Sequence, residues 1–315
     1  MVYFGIDIGG TGIKAGVVSP EGKLLYKQSA PTQAALGYEV LAKDIADLIK
    51  SVMENQNISL DDVAAIGLGC PGSIDDKNGV VIYANNINLK NAPLCAQVRK
   101  YIDKPVYIGN DANCAALGEY FAMDDDSIED FVAVTLGTGV GGGIIINKKI
   151  YTGFNSVAGE LGHTVIAMDG EQCTCGRKGC WEAYASATAL IRDAERAADK
   201  NPDSALAKEI AANGGRATGK IAFDCANGGD ATAKEVVDKY IRYVAEGIIN
   251  LINTFQPQYV AIGGGISNQG DKLLEPVKKY VREGSYGGNL VRPTEIVIAK
   301  LGNDAGIIGA ALLAL

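Results

Sequence analysis

Apolar and polar positions change period along this chain, and the changes mark its elements. Tyr3–Ile8, Lys14–Val18 and Leu24–Ser29 are short apolar or alternating runs separated by GGTG (9–12) and PEGK (20–23), which predicts three consecutive strands joined by tight turns. Helical spacing follows from about Tyr38 to Asn55. A buried strand is expected at Val63–Gly69, a short helix from Pro93, a strand at Val106–Gly109 and a helix from Asp111. This βββαβαβα order predicts a mixed sheet with helices on its faces.

The pattern then repeats. FVAVTLGTGVGGGIIINKKIYTG (131–153) again reads strand, glycine turn, strand, turn, strand, and GTG at 137–139 echoes GGTG at 9–12. Helices are expected from about Ala183. The clearest covers 231–255, where Val237, Tyr240, Val244, Ile248, Leu251 and Phe255 recur at helical spacing until Pro257 stops it. A strand at Tyr259–Ile262 runs into GGG (263–265), and a further helix leads to a strand at Glu295–Leu301. A last helix is expected from about Asp304. Two similar halves predict two domains facing a cleft: a small one, 1–109 plus about 302–315, and a larger one, 110–301.

Composition narrows the function. With 315 residues and 47% hydrophobic content the chain can bury two cores, and a net charge of −8 disfavours nucleic acid or an anionic membrane as the main partner. The start, MVYFGIDIGGTG, has no basic region or signal-like stretch, and the longest apolar run, AGIIGAALLAL, is too short to span a bilayer. The expectation is a cytoplasmic protein that handles a small ligand.

Chemistry concentrates between Glu160 and Glu182. His163, Cys173, Cys175 and Cys180 form a His-x9-Cys-x-Cys-x4-Cys set suited to tetrahedral zinc, and Gly176 and Gly179 let the backbone wrap an ion. Four protein ligands leave no open position for a metal-bound water, so the metal is expected to brace Glu160 and Glu182 rather than react. The other readings are a purely structural clip or three unrelated thiols. Cys70, Cys95, Cys114 and Cys225 are scattered and read as core residues.

Two glycine turns are candidates for phosphate. Asp7, Gly9, Gly10 and Thr11 in the first half, with Gly137, Thr138 and Gly139 in the second, expose backbone N–H groups that attract phosphate oxygens. Neither turn has the spacing of a P-loop or a dinucleotide fingerprint, so a clamp on a polyphosphate from two sides is expected, with Asp7 holding Mg2+ through water. Gly263, Gly264 and Gly265 would let an adenine lie close to backbone. Asn110 and Asp111 open a helix after a strand; Asp111 reads either as an N-cap or as the acceptor of a hydroxyl proton.

These motifs carry a resemblance. DIGGTGIKAG, CPG (70–72), ANNINLKNAPL (84–94), GNDANCAALGE, LGTGVGGG, AGELGH and CTCGRKGCWEAYASATAL together resemble the ROK family of sugar kinases and related repressors, most closely its bacterial ATP-dependent glucokinases. The resemblance implies a two-domain, duplicated ribonuclease-H-like α/β fold of the actin/hexokinase type, with sugar and nucleotide in the interdomain cleft. It implies transfer of the γ-phosphoryl group of ATP, with Mg2+, to the 6-hydroxyl of glucose. By position, Asp111 matches the catalytic base, and Gly72, Asn86, Asn110, Glu160, His163 and Glu182 match sugar contacts. Thr11 and Thr138 fall in the phosphate turns, Gly264 and Gly265 in the adenosine segment, and His163, Cys173, Cys175 and Cys180 on the zinc site. A homodimer or homotetramer is implied. Leu89 departs from a common tryptophan and Cys114 from a small aliphatic, which leaves mannose, fructose or N-acetylmannosamine as alternative substrates. The family's repressors carry a helix-turn-helix domain before the first turn, and that turn here begins at residue 9.

Overall fold

The computed structural model describes the backbone of residues 1–315 and every side chain except those of Ala35 and Asn289. The chain opens with β1 (Val2–Ile8), β2 (Gly12–Val18), β3 (Leu24–Pro31), α1 (Tyr38–Gln56) and β4 (Val63–Cys70). Then come β5 (Ser73–Asp75), β6 (Val80–Ala84), β7 (Leu89–Ala92), α2 (Leu94–Arg99), β8 (Val106–Asn110) and α3 (Asp111–Phe121). The second run begins with β9 (Phe131–Leu136), β10 (Val140–Ile146) and β11 (Lys149–Ile150). It continues through α4 (Glu182–Ala185), α5 (Ala187–Lys200), α6 (Ala205–Ala212), α7 (Gly219–Asn227) and α8 (Ala231–Phe255). It closes with β12 (Tyr259–Gly263), α9 (Asp271–Gly284), β13 (Glu295–Ile298) and α10 (Ala305–Leu312).

The two large sheets follow the same path. The first runs β3-β2-β1-β4-β8 and the second β11-β10-β9-β12-β13, each an antiparallel meander extended by two parallel strands, as the repeated glycine hairpins predicted. Contacts divide the chain into two compact units. One holds Met1–Glu129, Gly143–Gly159 and Lys300–Leu315; the other holds Asp130–Gly142 and Glu160–Ala299.

In the first unit, β4 is buried along nearly its whole length because it lies inside the sheet with strands on both sides. Helix α1 covers the sheet with Leu41, Ala42, Ile45, Ala46, Leu48, Ile49 and Val52, and a left-handed Asn57 at φ 51° ends it. Helix α10 is different, with almost every residue buried. It approaches the sheet at glycines: a Cβ on Gly5 would lie 1.8 Å from the Ile307 carbonyl oxygen, and one on Gly67 1.7 Å from that of Ala310. A Cβ on Gly309 would lie 1.6 Å from the Cys114 carbonyl oxygen of α3. Backbone thus packs on backbone where no methyl fits.

Three features differ from the sequence expectation. The contact division falls after Glu129 instead of near Gly109, because α10 holds α3 within the first unit. Strand β13 stops at Ile298, since the backbone N–H groups of Lys300 and Leu301 donate to the buried Glu119 carboxylate at 2.7 and 2.9 Å. A small sheet, β5-β6-β7, occupies a stretch for which no strand was expected.

Gly309→Ala is expected to lower the unfolding free energy by at least about 2 kcal/mol, the upper range for a methyl forced into a packed interior. Urea denaturation measures this, and an unchanged midpoint would contradict the seat described for α10.

Candidate functional site

In the first unit, Asp7 is the penultimate residue of β1 and the GGTG turn follows Ile8, closed by a 2.8 Å hydrogen bond from the Gly9 N–H to the Gly12 carbonyl. Gly10 and Thr11 are exposed. Asp7 faces Lys14 across the β1–β2 ladder, and the ammonium donates to its carboxylate at 2.9 Å. Beside the turn stands Asn86: a Cβ on Gly10 would lie 3.5 Å from the Asn86 carbonyl oxygen.

Strand β8 delivers Asn110 and Asp111 to the start of α3. Asn110 is the cap; its Oδ1 accepts from the Ala112 and Asn113 N–H groups at 2.9 and 3.2 Å, and its Nδ2 donates to the Gly72 carbonyl at 3.1 Å. Asp111 is therefore the first helical residue, with its Oδ1 2.8 Å from the Ala112 N–H. A carboxylate is favoured at this helix end. Gly72 has φ 95°, and a Cβ there would lie 2.2 Å from the Tyr83 carbonyl oxygen, so no side chain fits. Behind these residues, burial pushes the Cys114 thiol well above its usual range, and the Asp111 and Asp7 carboxylates push it further.

In the second unit, the turn at Gly137, Thr138 and Gly139 is clamped by α5. The Ala187 N–H donates to the Gly137 carbonyl at 2.8 Å, and the Thr188 hydroxyl donates to the Thr138 carbonyl at 2.8 Å. Gly264, at φ 83°, packs directly on the end of β9; a Cβ would lie 2.5 Å from the Leu136 carbonyl oxygen. Gly265 has open space around it. The structure therefore brings the second glycine turn and the GGG segment to adjacent strand ends.

The cysteine loop forms a compact donor set. The ligand atoms of His163, Cys173, Cys175 and Cys180 lie within 4.8 Å of one another, and the sulfurs are free thiols. Cys175 and Cys180 Sγ stand 3.6 Å apart, and Cys173 Sγ stands 3.7 Å from His163 Nδ1. These separations match the edge of about 3.8 Å in a tetrahedron with zinc–sulfur bonds near 2.3 Å, so the residues fit the metal. Gly176 and Gly179 have φ 89° and 79°, and a Cβ on Gly179 would lie 1.7 Å from the Ala167 carbonyl oxygen. Burial pushes the Cys180 thiol up to about 12, whereas the Arg177 backbone N–H holds the exposed Cys175 below its usual value.

Glu182 joins this loop to the second glycine turn. Its Oε1 accepts from the Thr174 hydroxyl at 3.1 Å and lies 3.7 Å from Cys173 Sγ, and its Oε2 accepts from the Val140 N–H at 3.0 Å. A Cβ on Gly139 would lie 2.3 Å from that Oε2. Glu160 is exposed, with no side-chain hydrogen bond among the described residues. Sequence reasoning missed Thr174, Thr188 and Trp181. Trp181 is fully buried beside Glu182, donates from Nε1 to the Tyr243 carbonyl at 2.7 Å, and lies where a Cβ on Gly247 would be. The only sequence signals for them are a hydroxyl between two thiols and the chain's one tryptophan.

A sheet path used twice, with a glycine turn in each copy, defines a ribonuclease-H-like α/β protein of the actin/hexokinase type. A family model described as ROK family matches residues 3–315. A glucokinase from Halalkalibacterium halodurans is 39% identical over 312 residues, covering 99% of this chain and 94% of the relative. A glucokinase from Streptomyces coelicolor is 37% identical over 315 residues, covering 98% and 96%. Among solved structures, a ROK family glucokinase from Streptomyces griseus in complex with glucose and AMPPNP aligns with a TM-score of 0.80 at 36% identity, covering 99% of both chains. The chain belongs to the ROK family.

Thiol titration tests the donor set. Cys70, Cys95, Cys114 and Cys225 are buried, so in the folded, metal-loaded protein few thiols should react; chelation should expose Cys173, Cys175 and Cys180, three per chain. No rise on chelation would contradict a metal held by these residues.

Proposed function

We propose that this protein transfers the γ-phosphoryl group of ATP to the 6-hydroxyl of glucose, giving glucose 6-phosphate and ADP. The observation that carries the reading is the division of labour at the start of α3. Asn110 supplies the cap and holds Gly72, and Asp111 follows as the first residue of α3, with Oδ1 accepting from the Ala112 N–H at 2.8 Å at a helix end that favours the ionised carboxylate. The glucokinase relatives at 37–39% identity support the substrate pair.

In this reading the 6-hydroxyl oxygen forms a bond to the γ-phosphorus, the bond from that phosphorus to the bridging oxygen of ADP breaks, and the hydroxyl proton passes to the Asp111 carboxylate. Alignment matters more than base strength because the transition state is loose. Gly72, Asn86, Asn110, Glu160, His163 and Glu182 orient the ring hydroxyls. Gly9, Gly10 and Thr11 with Gly137, Thr138 and Gly139 offer backbone N–H groups to the phosphates, and Gly264 and Gly265 let adenosine lie against backbone. Mg2+ arrives with ATP and neutralises phosphate charge; Asp7, already paired with Lys14, is the carboxylate nearest the first turn in sequence. Zinc on His163, Cys173, Cys175 and Cys180 would supply a fixed frame for Glu182. Thiolate ligands fit a reducing compartment, the cytoplasm. The resemblance adds a homodimer or homotetramer to this reading. Among the described residues, no helix is long and apolar enough to cross a membrane.

A coupled assay with ATP and Mg2+ across glucose, mannose, fructose and N-acetylmannosamine is expected to give glucose the highest kcat/KM. A different leader would replace the substrate, and no phosphorylation of any sugar would remove the reading. Asp111→Asn should lower kcat by roughly 100-fold or more while glucose affinity by calorimetry stays within about threefold. Near-parental turnover in that variant would take Asp111 out of the base role.

A further inference from the structure

We infer that Thr174, the residue between the metal ligands Cys173 and Cys175, is a positioning residue that fixes the Glu182 carboxylate for its sugar hydroxyl. The inference rests on the reading of Glu182 as a sugar acceptor.

A glutamate has three side-chain torsions, and holding it ready for a hydroxyl costs entropy unless the protein has already fixed it. Here both carboxylate oxygens are held. Val140 fixes Oε2 through a backbone N–H at 3.0 Å, a donor set by the strand and unaffected by side-chain motion. On Oε1 the donor with a short contact is the Thr174 hydroxyl at 3.1 Å; the Cys173 sulfur lies farther off at 3.7 Å, and as a metal ligand it would bear no proton. Removing the Thr174 hydroxyl leaves the carboxylate attached at one oxygen and able to swing about it.

The placement of Thr174 explains how a metal loop can affect a sugar contact without touching the sugar. Cys173 and Cys175 flank it, and the Cys173 N–H to Arg177 carbonyl and Gly176 N–H to Cys173 carbonyl bonds, 2.8 and 3.1 Å, close the turn that presents it. Whatever stiffens the loop stiffens the hydroxyl. Gly139 completes the arrangement, because any side chain there would push Oε2 off Val140.

Glu182 contacts the same ring hydroxyl before and during phosphoryl transfer, so weakening its hold should raise KM and spare kcat. Steady-state kinetics on Thr174→Val, Thr174→Ser and Glu182→Gln, with metal content measured on each, test the inference. Thr174→Val is expected to raise the glucose KM by roughly 10-fold or more, the lower end of what one hydrogen bond to a charged group contributes. Its kcat and ATP KM should stay within about twofold, with the parental metal-to-protein ratio, and Thr174→Ser should return the glucose KM to near the parental value. A parental glucose KM in Thr174→Val, alongside a raised one in Glu182→Gln, overturns the role of Thr174 alone. A raised KM that follows metal loss and is not restored by serine assigns Thr174 to the loop's structure and also overturns the inference. A parental KM in Glu182→Gln overturns the reading of Glu182 itself.

Discussion

The first unit depends on one steric constraint: helix α10 must lie so close to its neighbours that the positions of closest approach have no Cβ. Gly5 and Gly67 admit it to the sheet, and its own Gly309 admits it to α3. Close approach gains dispersion contacts along the whole helix, and its small and aliphatic residues bury almost completely. The same seat fixes α3, whose first residue is Asp111 and whose cap, Asn110, ties back to Gly72. A line of packing therefore runs from glycines deep in the sheet to the carboxylate proposed to take the proton.

The second unit reaches a similar end with a large side chain. Trp181 fills the hollow left by Gly247 on α8 and donates to the Tyr243 carbonyl, and four residues on, the Ala185 carbonyl accepts from the buried Tyr240 hydroxyl at 2.7 Å. Helix α4 is pinned at both ends by α8, with Glu182 between the pins. Its carboxylate then links the cysteine loop to the second glycine turn through Thr174 and Val140. In one unit small residues let elements meet, and in the other an indole holds them at a set distance; both leave one acidic side chain with little freedom.

How much of this could be read from the residues varied with the range of the cause. The two meanders, α8 and the cysteine set were legible because local periodicity and spacing encode them. Strands β5, β6 and β7 were not, since runs of three to five residues carry no reliable period. Asn110 and Asp111 are both capable caps, and Asn110 takes the role, its Oδ1 accepting from the Ala112 and Asn113 N–H groups while Nδ2 reaches Gly72, 38 residues away. Glu182 meets Val140 across 42 residues, a distance at which no local pattern speaks. The end of β13 was overrun for the same reason: Glu119, far away in sequence, takes the N–H groups that the ladder would have used. The glycines were read mainly as turn formers; at Gly5, Gly67 and Gly309 the structure uses their missing side chain instead.

The seat of α10 also sets an order of events during synthesis. Helix α3 is complete at Phe121, yet the helix that packs on it ends at Leu312, roughly 190 residues later. At about 5–20 residues per second, the first sheet waits some 10–40 s with Gly5 and Gly67 uncovered. During that interval the second unit can fold between the two parts of the first. Until α10 is made, the nascent chain therefore holds an open apolar groove shaped for that helix.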